Sequence, residues 1–103
     1  MAYAIEWTYR AKNQIDELHE YIANDSGDVE IALRYIRKIQ QAVGRLGDHP
    51  YIGKTPRFRV IQRKGYRMLV VERHLVFYSV DEEKKVVAVQ AVVDSRREYR
   101  SLV

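Results

Sequence analysis

The stretch VVAVQAVVD, residues 86–94, restricts the fold of this chain more than any other. Side chains of a strand alternate between the two faces of its sheet. Val86, Ala88 and Val92 should therefore point one way and Val87, Val89, Ala91 and Val93 the other, which makes both faces apolar. A strand of that kind belongs inside a sheet and needs cover on both sides. Helices upstream can supply one cover. The other must come from the chain's own tail, a second copy or a partner, because a sizeable exposed apolar patch marks an interaction site.

The first cover is legible between residues 8 and 47. Tyr3, Ile5 and Trp7 alternate with Ala4 and Glu6, the period of a half-buried strand. Thr8 then stands where a helix cap should be, and Ala11, Ile15, Leu18 and Ile22 follow at spacings of four, three and four. The run Asn24-Asp25-Ser26-Gly27 ends that helix, and Asp28 is placed to cap the next. Val29, Ala32, Ile36, Ile39, Val43 and Leu46 form its apolar stripe, and Gly47 stops it. So short a link predicts an antiparallel helical hairpin.

Pro50, Gly53 and Pro56 mark a connector from Gly47 to Arg57, after which β-branched and aromatic residues take over. Four strands are expected, Phe58 to Arg63, Tyr66 to Glu72, Leu75 to Val80 and Val86 to Val93, with turns short enough for antiparallel pairing. Residues 1–103 then make one α+β domain: an N-terminal strand, a helical hairpin and a four-stranded antiparallel meander, with the helices on one face of the sheet.

Charge is divided unevenly. Residues 1–56 carry seven Lys/Arg against eight Asp/Glu, and residues 57–103 carry eleven against six, giving −1 and +5. A basic half of this kind suits phosphate or an acidic protein partner. The chain has no cysteine, which removes disulfides and thiolate metal sites. The N-terminal MAYAIEW lacks the parts of a secretory signal, and no apolar run reaches the roughly 18 residues of a membrane span, so a cytoplasmic location is expected. No phosphate-binding glycine loop, HExxH, GxSxG or carboxylate cluster appears, and no metal or other cofactor is expected.

Chemistry must then rest on cationic and aromatic groups, chiefly Arg57, Arg67, Arg73, His74, Arg96, Arg97 and Tyr99. Arg57, Arg67, Arg73, Arg96 and Arg97 are candidates for contact with a target or a nucleic acid. A metal-free ribonuclease would need a proton acceptor, a proton donor and cations around the phosphate. His74, Arg97 and Tyr99 are the catalytic candidates in that case, since His74 titrates near neutrality and arginine cannot be a base. Glu72 and His74 should share a strand face and could pair. Tyr78 sits in an apolar strand and reads as core.

Taken in order, the first strand and helical hairpin, the HPYIGKTPR connector, GYRMLVVERHLVFYSVDEE and the closing SRREY resemble the toxins of the RelE/ParE superfamily, the growth-arresting halves of type II toxin–antitoxin pairs. The resemblance implies a cognate antitoxin that wraps the toxin with a helix and an extended segment, as a toxin–antitoxin hetero-oligomer, with a homodimer the other assembly open to it. RelE-like members cut messenger RNA on the ribosome. Arg97 and Tyr99 match their C-terminal arginine and tyrosine, but the arginine before the LVY-like strand is missing. ParE-like members poison DNA gyrase by binding, and their texture is nearer to Pro50–Gly53, Gly65–Leu69 and His74–Val80. The expectation is thus a ParE-like toxin acting on gyrase. A ribosome-dependent endoribonuclease and a harmless antitoxin-binding relative are the alternatives.

Overall fold

The computed structural model describes residues 2–103. Its two long helices begin where the sequence supplies a side-chain cap. Thr8 is extended, and its Oγ1 accepts the Ala11 N–H at 3.1 Å to open α1 (Tyr9–Ser26). The cap satisfies a first-turn N–H that no helical carbonyl reaches. Gly27 ends the helix at φ 70°, a left-handed conformation that glycine adopts without a Cβ clash. Asp28 then caps α2 (Val29–Gly44) by accepting the Glu30 N–H at 2.8 Å. One 3-10 turn, Arg45–Gly47, completes the hairpin.

Four strands, β1 (Ala4–Trp7), β2 (Arg67–Val71), β3 (His74–Asp81) and β4 (Val86–Asp94), form one sheet in the order β1-β4-β3-β2. The run β2-β3-β4 is antiparallel, as its short turns require. Two expectations for the sheet are corrected. Phe58 to Arg63 is not a strand: it holds a single helical turn, α3 (Arg59–Gln62). In a strand Phe58 and Ile61 would point to opposite faces, whereas three residues apart on a helical turn they pack together on the sheet. The first strand, expected ahead of the meander, makes the sheet mixed and not wholly antiparallel, because β1 runs parallel to β4, with Ile5 opposite Val87 and Trp7 opposite Val89. The hairpin, the connector, α3, β2 and β3 all lie between the two in the chain, so no turn dictates their relative direction.

A bulge in β4 corrects a third expectation. Phe77 opposes Ala91 but Tyr78 opposes Val89, so Gln90 is left without a partner in the register. The extra residue exchanges the faces of everything after it. Val87, Val89 and Val92 face the hairpin, while Ala91 and Val93 face the opposite side. Thr8 holds the bulge in place: its Oγ1 donates to the Gln90 carbonyl at 3.2 Å and its N–H to the Val89 carbonyl at 3.0 Å.

The sheet is covered on both sides. On one, Ala11, Ile39, Val43 and Leu46 of the hairpin pack on Val76, Tyr78, Val87 and Val89. On the other, Leu75, Phe77, Ala91 and Val93 lie under Ile61, Phe58, Tyr99 and Val103. Of the three possible covers for the second face, the chain uses its own tail, joined by α3. The helices are therefore not confined to one face. The tail is fastened by the Lys64 ammonium, which donates to the Val103 carbonyl, and by Tyr99, whose ring lies 5.5 Å from Phe58 and 5.7 Å from Phe77. Tyr78 is core, with its hydroxyl accepting the Gly53 N–H at 3.0 Å. A Cβ on Gly53 would stand 2.5 Å from that oxygen, so the connector can approach the sheet only as glycine. Among the described residues no helix is long and apolar enough to cross a membrane.

Candidate functional site

Where the hairpin overhangs the ends of β3 and β4, the surface opens into a groove of about 1570 Å³. The helices supply Leu18, Tyr21, Ile22, Ile31 and Tyr35 to its walls, and β4 supplies Val92 and Val93. Tyr21 and Ile31 remain 66% and 42% exposed, so apolar surface is offered to solvent here and not hidden within the fold. Gln14 sets the floor. Its Oε1 accepts the Val92 N–H at 2.7 Å just beyond the bulge, and its Nε2 donates to the Leu102 carbonyl at 3.2 Å, which ties α1, β4 and the tail together.

The rim carries more cations than acids, with Glu17 and Asp25 of α1 on its helical side. Arg34 and Lys38 come from α2, Arg73 from the β2–β3 turn, and Arg96 and Arg97 from the segment after β4. Four of the sequence-derived candidates, Arg73, His74, Arg96 and Arg97, thus meet in one groove. Two of the five cations are partly neutralised: Lys38 pairs with Glu72 at 3.2 Å and Arg96 with Asp94 at 2.8 Å. The Arg96 guanidinium holds the Asp94 carboxyl well below the usual carboxylate range. The expected pairing of Glu72 with His74 does not form. Glu72 sits in the turn at φ 54° and reaches Lys38 instead.

His74 is buried, at 9% exposure, and its Nδ1 lies 2.6 Å from the Tyr35 hydroxyl. That hydroxyl also receives the Arg73 N–H at 3.4 Å, which ties the β2–β3 turn to α2 through the same oxygen. Burial is the main cause pushing the His74 pKa down and the Tyr35 pKa up, so at pH 7 the pair is neutral. One ring nitrogen of the pair is thus taken up within the fold, and only Nε2 is left to meet a ligand.

The other three candidates lie elsewhere. Arg67 props the connector: its Nη2 donates to the Tyr51 and Gly53 carbonyls, both at 2.9 Å, and its guanidinium lies 5.3 Å from the centre of the Tyr51 ring. Arg57 rests over Phe58 at 5.1 Å on the far side of the sheet. Tyr99 belongs to the aromatic layer on that same side. Sequence reasoning had passed over Tyr35 and Gln14, since a tyrosine or glutamine on an amphipathic helix carries no signal of its own. Among the described residues, no group of three or more acidic or histidine side chains could hold a metal ion.

Fold and groove together define a small α+β protein with a hairpin-backed sheet and a greasy, cation-rimmed cleft at one end. The model of the ParE toxins of type II toxin–antitoxin systems matches residues 5–99, and the chain belongs to that family. It is 31% identical over 80 residues to toxin ParE1 of Caulobacter vibrioides, covering 78% of this chain and 79% of that one. It is 36% identical over 55 residues to the protein Y4kP of Sinorhizobium fredii, covering 53% of this chain and 55% of the other. Among solved structures, a chain of the chromosomal ParDE system of P. aeruginosa superposes with a TM-score of 0.74 at 18% identity, over 90% of this chain and 96% of that one. A chain of the RelBE2 toxin–antitoxin complex of Mycobacterium tuberculosis gives 0.58, also at 18% identity, over 91% and 99%. These two likenesses are likenesses of fold.

Proposed function

We propose that this toxin arrests growth by binding DNA gyrase, and that a cognate antitoxin silences it by seating an amphipathic helix in the groove. Membership of the ParE family supports the target. The groove supports the antitoxin: apolar walls accept the buried stripe of a helix, and a rim of Arg34, Lys38, Arg73, Arg96 and Arg97 accepts its acidic edges. The extended segment of the antitoxin can add to the outer edge of β2. There Val70 is 55% exposed, and the connector pairs only with Met68.

The observation that weighs most against the ribonuclease alternative is the state of the acid/base candidates. His74 is buried with one of its two ring nitrogens engaged by Tyr35, and Tyr99 lies in the aromatic layer across the sheet from the groove. General base catalysis needs an acceptor within reach of the proton it removes.

A supercoiling assay tests the proposal. Purified toxin should inhibit gyrase, Arg73→Ala and Arg97→Ala should weaken inhibition at least tenfold, and added antitoxin should restore supercoiling. Full gyrase activity at a large molar excess of folded toxin would exclude this target. New 5′ ends on translated messages would then favour the ribonuclease, and normal growth on induction would favour the harmless relative.

A further inference from the structure

Between Asp48 and Glu72 the chain has no acidic residue but six cations: Lys54, Arg57, Arg59, Arg63, Lys64 and Arg67. Lys64 and Arg67 are spent on carbonyls of the chain itself, fastening the tail and the connector. The other four are exposed and form no ion pair among the described residues. They ride on and beside α3. Ile61 turns inward to the sheet, while Arg59, Val60 and Arg63 turn outward, Arg57 crosses the Phe58 ring, and Lys54 borders the β2 edge. The exposed acids Asp16, Glu17, Glu20, Asp25, Asp28 and Glu30 all lie on the hairpin, the layer on the other side of the sheet. The hairpin also carries the exposed cations Arg10, Lys12, Arg34, Arg37 and Lys38, so that layer is close to neutral, and the unpaired cations of the α3 side are the excess that draws a polyanion there.

We propose that the surface formed by Lys54, Arg57, Arg59 and Arg63 binds the phosphate backbone of duplex DNA without reading its sequence. An acidic protein would need an anchoring pocket for a buried side chain. The groove lies elsewhere, and the aromatic residues beneath these cations, Phe58 and Tyr99, are already spent on the second core. Single-stranded nucleic acid would need free rings for its bases to stack on. The exposed ring nearby, Tyr51, lies against Arg67 and donates its hydroxyl to Glu82. What remains is a set of unpaired positive charges without pocket or platform, which is what phosphate contacts alone require.

The test is fluorescence anisotropy with a labelled random-sequence duplex and the intact toxin, in the absence of any enzyme, so the result is independent of the gyrase proposal. Four phosphate contacts predict a log–log salt slope of about −3.6, that is a loss of roughly 150-fold in affinity from 50 to 200 mM salt. Arg59→Ala with Arg63→Ala should reduce the slope by about 1.8, Arg59→Lys with Arg63→Lys should retain it, and Lys12→Ala on α1 should change nothing. Circular dichroism confirms that each variant is folded. The proposal is overturned if the folded double alanine variant keeps the wild-type slope, if polyglutamate displaces the duplex at matched charge, or if single-stranded RNA binds more tightly than the duplex.

Discussion

His74 shows how one side chain couples the groove to stability. In the unfolded chain its imidazole protonates near the ordinary value of about 6.5. In the fold, burial lowers that pKa, with Arg73 and Arg96 acting in the same direction and Asp94 opposing them. Between the two values the unfolded state binds the extra proton, so stability is complete above about pH 6.5 and falls as pH drops toward the folded pKa. Urea midpoints measured from pH 8 down to 5.5 should therefore decline, and His74→Asn should flatten the decline. Asp94, Glu82 and Glu98 do not contribute in this window, because their partners Arg96, Tyr51 and Arg100 hold them well below it. An unchanged slope in the variant would mean that the imidazole takes up its proton equally in the folded and unfolded states.

At the level of elements, what could be read from the sequence was whatever neighbours in the chain decide. Thr8 and Asp28 announce both helices because a cap acts over three residues, and the turns expected at Arg73-His74, found one residue earlier, and at Asp81–Lys85 give β2, β3 and β4 their order. The helical turn α3, the bulge at Gln90 and the direction of β1 were not legible, since each is settled by contacts distant in sequence. The site divided along the same line. Arg73, His74, Arg96 and Arg97 were visible as a basic cluster, whereas Tyr35 acquires its role only because the sheet brings His74 to it across 39 residues. The small α3 carries a disproportionate load, as Ile61 is its one fully buried side chain. Ile61→Ala should cost about 2–5 kcal/mol in urea unfolding and increase binding of a hydrophobic dye as the second face loosens. A loss below about 0.5 kcal/mol would show that the tail covers the sheet unaided.

For the molecule as a whole, the pairing of β1 with β4 governs how the protein comes into being. Thr8 bonds to Gln90 across 82 residues, and the edge strand next to it has no other strand to join. A fragment ending after Asp81 should consequently give no cooperative thermal transition, and a sharp one would show that the sheet is complete without its last strand. Contacts of such long range also make folding slow relative to helical proteins of this size. For a member of a toxin family the result is a built-in delay: while the chain is still being translated, its opening residues wait for a partner that has not been made, and a prematurely terminated product lacks the completed sheet.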